Sequence, residues 1–450
     1  MDWLMSVNST INNIVWGPPI LFLIVGAGIY LSLSTKFFSI TKLGYILKNT
    51  FLKMFSKESH GEGEVTAFQA VATALAATVG TGNIAGVATA IALGGPGAVF
   101  WMWIAAIVGM TTKFAEVVLA VNFREKTPDG RFVGGPMYYI EKGLKWKWLA
   151  SIFAIFGALA AFGIGNMVQS NSVAASLKAT FNINPWITGS VLAIITAMVI
   201  VGGIKRIGAF TEKLVPFMAA IYILGGIIII ISNITHIPEA FGLIFGSAFT
   251  GSAAVGGFAG ATIAQSLRYG VARGVFTNEA GLGSAPIAHA AATTDHPVRQ
   301  GLWGIFEVFA DTLVICTITA LAILVSGLWD TGLTGAALTT AAFEEGIKGG
   351  GYIVAIGIVL FAYSTIIGWE YYGERCAEYV FGPKAITPYR IIWIPFVLIG
   401  AIGGLEQLWA LADTLNGLMA IPNLIGVLLL SGTVFKLTKE FFAKEKSLGK

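Results

Sequence analysis

Apolar runs of about twenty residues, separated by short polar stretches, recur along the whole chain of 450 residues. Runs able to cross the roughly 30 Å hydrocarbon core of a bilayer lie near 14–34, 66–93, 97–122, 149–178, 185–203, 210–232, 255–292, 299–326, 352–373, 389–409 and 413–436. The pattern predicts an all-α polytopic membrane protein with eleven transmembrane helices, the seventh unusually long. The longest loops, 35–65 and 123–148, are too short to fold alone. A single transmembrane domain over 1–450 is therefore expected.

Composition agrees: 12% charged and 56% hydrophobic residues exclude a soluble globular protein, whose charged fraction is near 25%. Assigning alternate loops to the two sides places Lys36, Lys42, Lys48, Lys53, Lys57, Arg124, Lys126, Arg131, Lys142, Lys145, Lys147, Lys205 and Arg206 on one face. The tail residues Lys436, Lys439, Lys444 and Lys446 join them, and the other face keeps Lys178 and Lys348. The positive-inside rule then puts the N-terminus outside and the C-terminus in the cytoplasm. The opening MDWLMSVNST lacks the basic region and small-residue cleavage site of a secretory signal, so the first apolar run is expected to remain in the chain. Cys316 and Cys376 form neither a disulfide framework nor a metal-ligand spacing. The lipid bilayer is the expected surrounding; nothing in the pattern points to nucleic acid, to an obligate protein partner or to a cofactor.

Gly is frequent, at 56 residues, as close helix packing in lipid favours, so a glycine motif has to be more than glycine to carry meaning. ATVGTGNIAG, residues 77–86, has Gly80, Gly82 and Gly86 in the G-x-G-x-x-G spacing. It follows no strand and no acidic residue stands about 20 positions on, so it is not a dinucleotide-binding turn. An internal match explains it better. GTGNIAGVATA from Gly80 aligns with GLGSAPIAHAA from Gly281: Gly80 meets Gly281, Gly82 meets Gly283, Asn83 meets Ser284 and Ala88 meets His289. Four segments lie between the two copies, so they run in opposite directions. This is the arrangement of an inverted repeat, five helices (66–232) plus five (255–436), with 14–34 as an added helix and core helices one and six discontinuous.

A helix broken at mid-membrane frees backbone N–H and C=O groups that lipid cannot satisfy, so such breaks line a cavity. Half-helix N-termini suit a carboxylate, and freed carbonyls suit a cation. Asn83 and the pair Thr277-Asn278 add side-chain oxygens at the two breaks.

The run GGPGAVFWMWIAAIVG (94–109) and the stretch TNEAGLGSAPIAHAAA (277–292) resemble the signatures of the alanine/glycine:cation symporter family of prokaryotic membrane transporters, and the similarity extends over essentially the whole chain. The resemblance implies a leucine-transporter-type fold within the amino acid-polyamine-organocation superfamily, a place in the cytoplasmic membrane, and import of alanine or glycine with Na⁺ or H⁺. By the same likeness Thr78, Gly80, Thr81, Gly82, Gln169, Phe276, Asn278, Gly281 and Trp369 are candidate substrate contacts. Thr78, Val79, Asn83, Thr277, Ser364 and Thr365 are the candidate Na⁺ ligands, with Ser364 and Thr365 on FAYSTIIGW facing the carbonyls of Thr78 and Val79.

Asn166, Gln169 and Ser170 form one polar stripe at i, i+3 and i+4, and Gln169 is the member expected at the substrate. Phe276 and Trp369 are expected to wall the pocket. Lys113 and Glu116 share one helix face and Glu307 and Asp311 another; charges at such depth are usually paired or functional, and one structural cluster joining the repeats is the plainer reading. Glu279 and Arg273 are candidates to pair across the second break, and Arg268 is expected toward the outside. His60, His236, His289 and His296 show no metal spacing, and His289 reads as a packed residue. A secondary symporter working by alternating access is the leading reading. An ion or solute channel needs a continuous polar stripe, and a membrane enzyme a catalytic constellation; neither is present.

Overall fold

The computed structural model describes residues 2–54, 61–250, 262–403 and 406–447. Among these, eight helices are long and apolar enough to cross a membrane, and the pair Ala67–Thr78 and Gly82–Gly94 forms a further span bent by 51° at its break. The apolar helix Pro185–Ile200 is shorter. Their lipid-facing sides carry bare hydrocarbon: the helix Gly203–Ser232 buries Met218, Tyr222 and Ile229 and exposes Phe217, Leu224, Ile228 and Ile231. The chain is an integral membrane protein.

Several boundaries differ from those the sequence predicts. The expected first span 14–34 begins earlier, because Asp2–Val15 is helical and only Trp16–Gly17 separates it from Pro18–Ser34. The span expected over 352–373 runs over Gly350–Phe381. The last expected span, 413–436, divides into Glu406–Leu429 and Ser431–Ser447. Two further helices, Ile237–Thr250 and Gly335–Gly346, have no counterpart among the expected spans because each is shorter than a span and the second is built of small residues. In the seventh expected span, 255–261 lie outside the described residues, as do Lys57 and His60. The rest of that span comprises the helix Ile263–Asn278, a turn, and a single helical turn Pro286–His289 rather than a second half-helix of full length.

Both broken helices start alike. At the first, Thr66 Oγ1 accepts from Gln69 N (3.0 Å) and Gln69 Oε1 from Thr66 N (3.1 Å); at the second, Thr262 and Gln265 repeat the exchange at 3.2 and 2.8 Å. Each T-x-x-Q is a capping box that satisfies two otherwise orphaned N–H donors. The breaks themselves use glycine differently. Gly281 and Gly283 take φ of +94° and +83°, a backbone that side chains disfavour. Gly80 and Gly82 matter through space: a Cβ on Gly80 would stand 2.7 Å from Thr365 Oγ1, and one on Gly82 2.8 Å from Thr277 Cγ2.

The helix Gly97–Asn122 is almost wholly buried and packs against both Ile263–Asn278 and Pro297–Val308. The long helix Gly350–Phe381 crosses the first broken helix at Gly368, where a side chain would meet the backbone of Ala77 at 2.8 Å. Three π-helical turns, Gly82–Gly86, Ala161–Met167 and Phe309–Cys316, interrupt helices around the breaks; such turns re-aim side chains and recur at functional sites.

Candidate substrate and ion site

Between the two breaks lies a cavity of about 20 Å³ lined by Ala77, Thr78, Gly80, Thr81, Gly82, Ile164, Gln169, Phe276, Thr277, Glu279, Thr365, Trp369 and Asn416. That is little more room than one water needs, so the walls stand close together. Seven of the nine candidate substrate residues meet there. Asn278 and Gly281 do not line it. Asn278 instead shapes the turn: its Oδ1 accepts from Ala280 N (3.0 Å) and its Nδ2 donates to Thr312 Oγ1 (3.1 Å). Gly281 is held from behind, its N–H donating to Glu116 Oε1 (3.1 Å) and its carbonyl accepting from Asn423 Nδ2 (2.8 Å).

The polar stripe on the helix Lys147–Phe181 divides. Gln169 faces the cavity, accepting from Thr81 Oγ1 at 3.2 Å and donating to Ile164 O at 3.0 Å. Asn166 turns to Trp393 O (2.9 Å) and Ser170 to Met167 O (3.2 Å), both as packing contacts. Trp369 is buried, and a side chain on Gly165 would collide with its Cβ. The half-buried Phe276 is the roof: it lines the cavity on one side and a vestibule of about 150 Å³ on the other, where its ring meets Trp16 edge-on at 6.2 Å.

Two polar lining residues, Glu279 and Asn416, are absent from the sequence-based candidates. Glu279, expected to pair with Arg273, instead caps Ile263–Asn278 at φ +55°, and its carboxylate accepts from Trp369 Nε1 (2.9 Å) and Ser284 Oγ (2.5 Å). Arg273 lies 5.8 Å from the Phe276 ring centre, in the vestibule with Arg268, Asn12 and Asp413. That places Arg268 beside the vestibule. Asn416 brings a buried Oδ1 with no hydrogen bond among the described residues; its signal in the sequence is an Asn, one of two with Asn423, inside the apolar run 413–436.

The candidate ion ligands fall into two groups. Ser364 Oγ reaches Ala76 O (3.0 Å), not the carbonyls of Thr78 and Val79, and also bonds its own helix at Phe361 O (2.8 Å). Thr365 Oγ1 bonds Phe361 O at 3.0 Å while facing Gly80. Thr78 Oγ1 returns to Ala74 O at 3.1 Å. Around the second group, Asn83 Oδ1 accepts from Gly80 N (3.0 Å), closing the unwound turn, and Asn83 Nδ2 donates to Asp311 Oδ1 at 2.6 Å. Cys316 Sγ lies 3.9 Å from Thr277 Oγ1 and 3.3 Å from Asn83 Nδ2. Asp311 thus stands with Asn83 and Thr277, apart from the charged cluster expected of it.

The rest of that cluster is also divided. Lys113 Nζ pairs with Glu307 Oε1 at 3.3 Å, and Glu307 Oε2 meets His289 Nε2 at 3.0 Å, whose other nitrogen lies 2.8 Å from Gln300 Nε2. Glu116 serves Gly281 and Asn423 (2.5 Å). On the face assigned to the cytoplasm, Arg131 joins Glu378 (2.8 Å) and Asp129 (2.6 Å), Arg375 joins Glu378 (2.5 Å) and Glu374, and Arg390 joins Glu374. The hydrogen bonds from Arg131 and Thr127 hold the Asp129 carboxyl down at about 2, so this loop pair stays charged at neutral pH.

Comparison with known proteins fits this geometry. The family model described as the sodium:alanine symporter family matches residues 1–450. The chain is 55% identical over 449 residues to the sodium/alanine symporter AgcS of Methanococcus maripaludis, covering 98% of each chain. Among solved structures it resembles MhsT in complex with L-phenylalanine, with a TM-score of 0.58 at 14% identity, over 80% of this chain and 89% of that one. A manganese transporter of Eremococcus coleocola superposes with a TM-score of 0.51 at 13% identity, covering 85% and 83%. These likenesses give the fold, the leucine-transporter type.

Proposed function

Because the chain belongs to the sodium:alanine symporter family, whose members are Na⁺-coupled amino-acid transporters rather than enzymes, we propose that it imports alanine and glycine through the cavity between its two broken helices. The observation that carries this reading is the meeting of Thr78, Gly80, Thr81, Gly82, Gln169, Thr277 and Trp369 around one small space between the breaks. A small pocket at two helix breaks suits a carrier working by alternating access; a channel needs a continuous path.

In this reading the substrate carboxylate faces the start of the half-helix Gly82–Gly94, where N–H donors and the positive end of the helix favour an anion. The ammonium faces the C-terminal end of Ile263–Asn278 and the Glu279 carboxylate, where the helix dipole is negative. Phe276 and Trp369 leave room for a side chain no larger than a methyl group.

Na⁺ is the coupling ion. One Na⁺ takes the carbonyls of Thr78 and Val79 with the hydroxyls of Ser364 and Thr365, once the latter turn from their own helix. A second takes Asn83 and Thr277, with Asp311 supplying charge. Hard oxygen donors suit Na⁺, and neutral ones release it readily. The reading takes a five-plus-five inverted repeat with eleven spans, and the positive-inside rule sets its N-terminus outside and its C-terminus in the cytoplasm of a prokaryotic cell. The shared capping boxes at Thr66 and Thr262 support the repeat.

Uptake of labelled alanine into proteoliposomes, under an imposed Na⁺ gradient and separately under a proton gradient, tests the proposal. Na⁺-driven, current-generating uptake is expected, since each net charge moved is worth roughly 2.3 kcal/mol per 100 mV. Uptake indifferent to Na⁺ removes this reading.

A further inference from the structure

One carboxyl group has no part in the transport machinery around the breaks. Glu370, on the long helix Gly350–Phe381, is fully buried, and neither of its oxygens has a hydrogen bond among the described residues. One helical turn on, Glu374 holds both nearby guanidiniums: Arg375 on one oxygen and Arg390 on the other. The charged and titratable groups facing Glu370 are Glu374 and Arg375 on its own helix, and Tyr389 and Arg390 on the helix Ile386–Ile402. The helix packed on the remaining side has no charged residue between Lys147 and Lys178. The two guanidiniums facing it are thus already engaged, Arg390 by Glu374 and Arg375 by Glu374 and Glu378.

A carboxylate buried at membrane depth without counter-ion or hydrogen bond is strongly disfavoured, and such a group keeps its proton. Beside it is a polar cavity of about 430 Å³ at the inner face, lined by Glu64, Arg131, Lys205, Tyr371, Arg375 and Arg390, among others. Two walls of that cavity are the arginines that Glu374 binds.

We propose that Glu370 is a proton-binding site in exchange with the cytoplasmic side, and that its protonation state governs how readily the inner face opens. While Glu370 is neutral, Arg390 stays on Glu374 and holds the long helix to Ile386–Ile402, with Arg375 kept on Glu374 within the long helix. When the proton leaves to water in the cavity, the new carboxylate draws a guanidinium from Glu374, and the contact between the two helices loosens. The closed inner face is therefore favoured at low pH, where Glu370 holds its proton, and opening is favoured as pH rises through its titration. The inference rests on the inward placement of this face under the proposed topology, but not on any assigned substrate contact.

The test is alanine exchange in proteoliposomes with saturating Na⁺ and equal pH on both sides, which removes dependence on insertion direction. The wild-type rate is expected to climb with pH, by up to about tenfold per unit on the limb where one proton leaves. Glu370→Gln, which mimics the protonated form, should give a slow rate with this limb flattened. Glu374→Gln, which weakens the hold on Arg390 and leaves Arg375 paired with Glu378, should move the limb to lower pH. Infrared spectra provide a readout that packing alone would not change: the carbonyl stretch of a protonated carboxylic acid should be lost in Glu370→Gln. An unchanged limb in Glu370→Gln, a flat wild-type profile, or wild-type and Glu370→Gln spectra that match in this band overturns the proposal. If Glu370→Gln fails to fold, Glu370→Asp and Glu374→Gln decide it, and an unshifted limb in both is equally fatal. Na⁺-driven uptake by the wild type, measured at one pH, separates failure of this idea from failure of the symporter reading.

Discussion

The indole Nε1 of Trp369 donates to Glu279 Oε1 over 2.9 Å, joining the long helix to the second break across the cavity. The carboxylate is thereby fixed by two donors, Trp369 and Ser284, before any substrate arrives. Trp369→Phe keeps the wall and removes the donor. A hydrogen bond to a charged group contributes about 1.5–3 kcal/mol, so the apparent alanine affinity should fall by roughly tenfold to a hundredfold. Binding measured on the purified variant, with the Na⁺ dependence followed alongside, checks this; unchanged affinity would detach Glu279 from the substrate.

Gly80→Ala should stop Na⁺-driven uptake without preventing insertion, because the added methyl stands 2.7 Å from Thr365 Oγ1. Overpacking of this kind typically costs about 1–3 kcal/mol, here concentrated on one candidate ion ligand. Thr365→Ala alone should raise the Na⁺ concentration for half-maximal uptake. Na⁺ titrations of both variants at fixed alanine give the answer.

Asn83→Ala removes both the turn-closing bond to Gly80 N and the contact with Asp311. Alanine and Na⁺ affinity should weaken together, and the factor by which each ligand tightens the other should fall equally whichever is titrated. Asp311→Asn should weaken Na⁺ binding first. If Asn83→Ala changes one affinity and leaves the other alone, the shared site is wrong.

Breaking the buried pair of Lys113 and Glu307 should be costly. Lys113→Met leaves Glu307 with His289 alone, and removing one partner of a buried pair destabilises by about 3–5 kcal/mol. The double variant Lys113→Met with Glu307→Gln should recover much of that loss, since the uncompensated charge is gone. Thermal unfolding in detergent, compared among the three proteins, measures it.

Leucine should compete poorly with alanine, and Phe276→Ala should narrow the gap by opening the roof toward the vestibule. Each methylene accommodated changes discrimination by about 1–3 kcal/mol. Competition of unlabelled amino acids against labelled alanine reports the order.

Much of the architecture is legible in the letters because the bilayer enforces a simple code: apolar length for spans, glycine with polar neighbours for breaks. Gly80 and Gly82 stand out by that code, yet their reason differs from that of Gly281 and Gly283, and only geometry separates close approach from positive φ. Asn278 and Gly281 mislead because residues at a break can serve the turn as well as the cavity. Glu279, Asp311 and Asn416 are hard to place because a helix carries no record of which neighbour its polar residue meets. π-helical turns such as Phe309–Cys316 compound this by rotating the succeeding residues off the regular 3.6-residue spacing. Short helices such as Gly335–Gly346 leave no periodic signal of sufficient length.

Arg124 donates to the carbonyls of Ala290 (3.0 Å), Ala292 (2.6 Å) and Glu62 (2.7 Å), and Thr293 N reaches Val65 O at 2.7 Å. The stretch leading into the first broken helix and the loop leaving the second are therefore riveted into one body. A door cannot open along a riveted edge. Under the proposed alternating access the hinge lies here, and the parts free to move are those joined by side-chain ion pairs among Arg131, Glu378, Arg375, Glu374 and Arg390. In that reading the solute would leave past arginines, through the space they already frame.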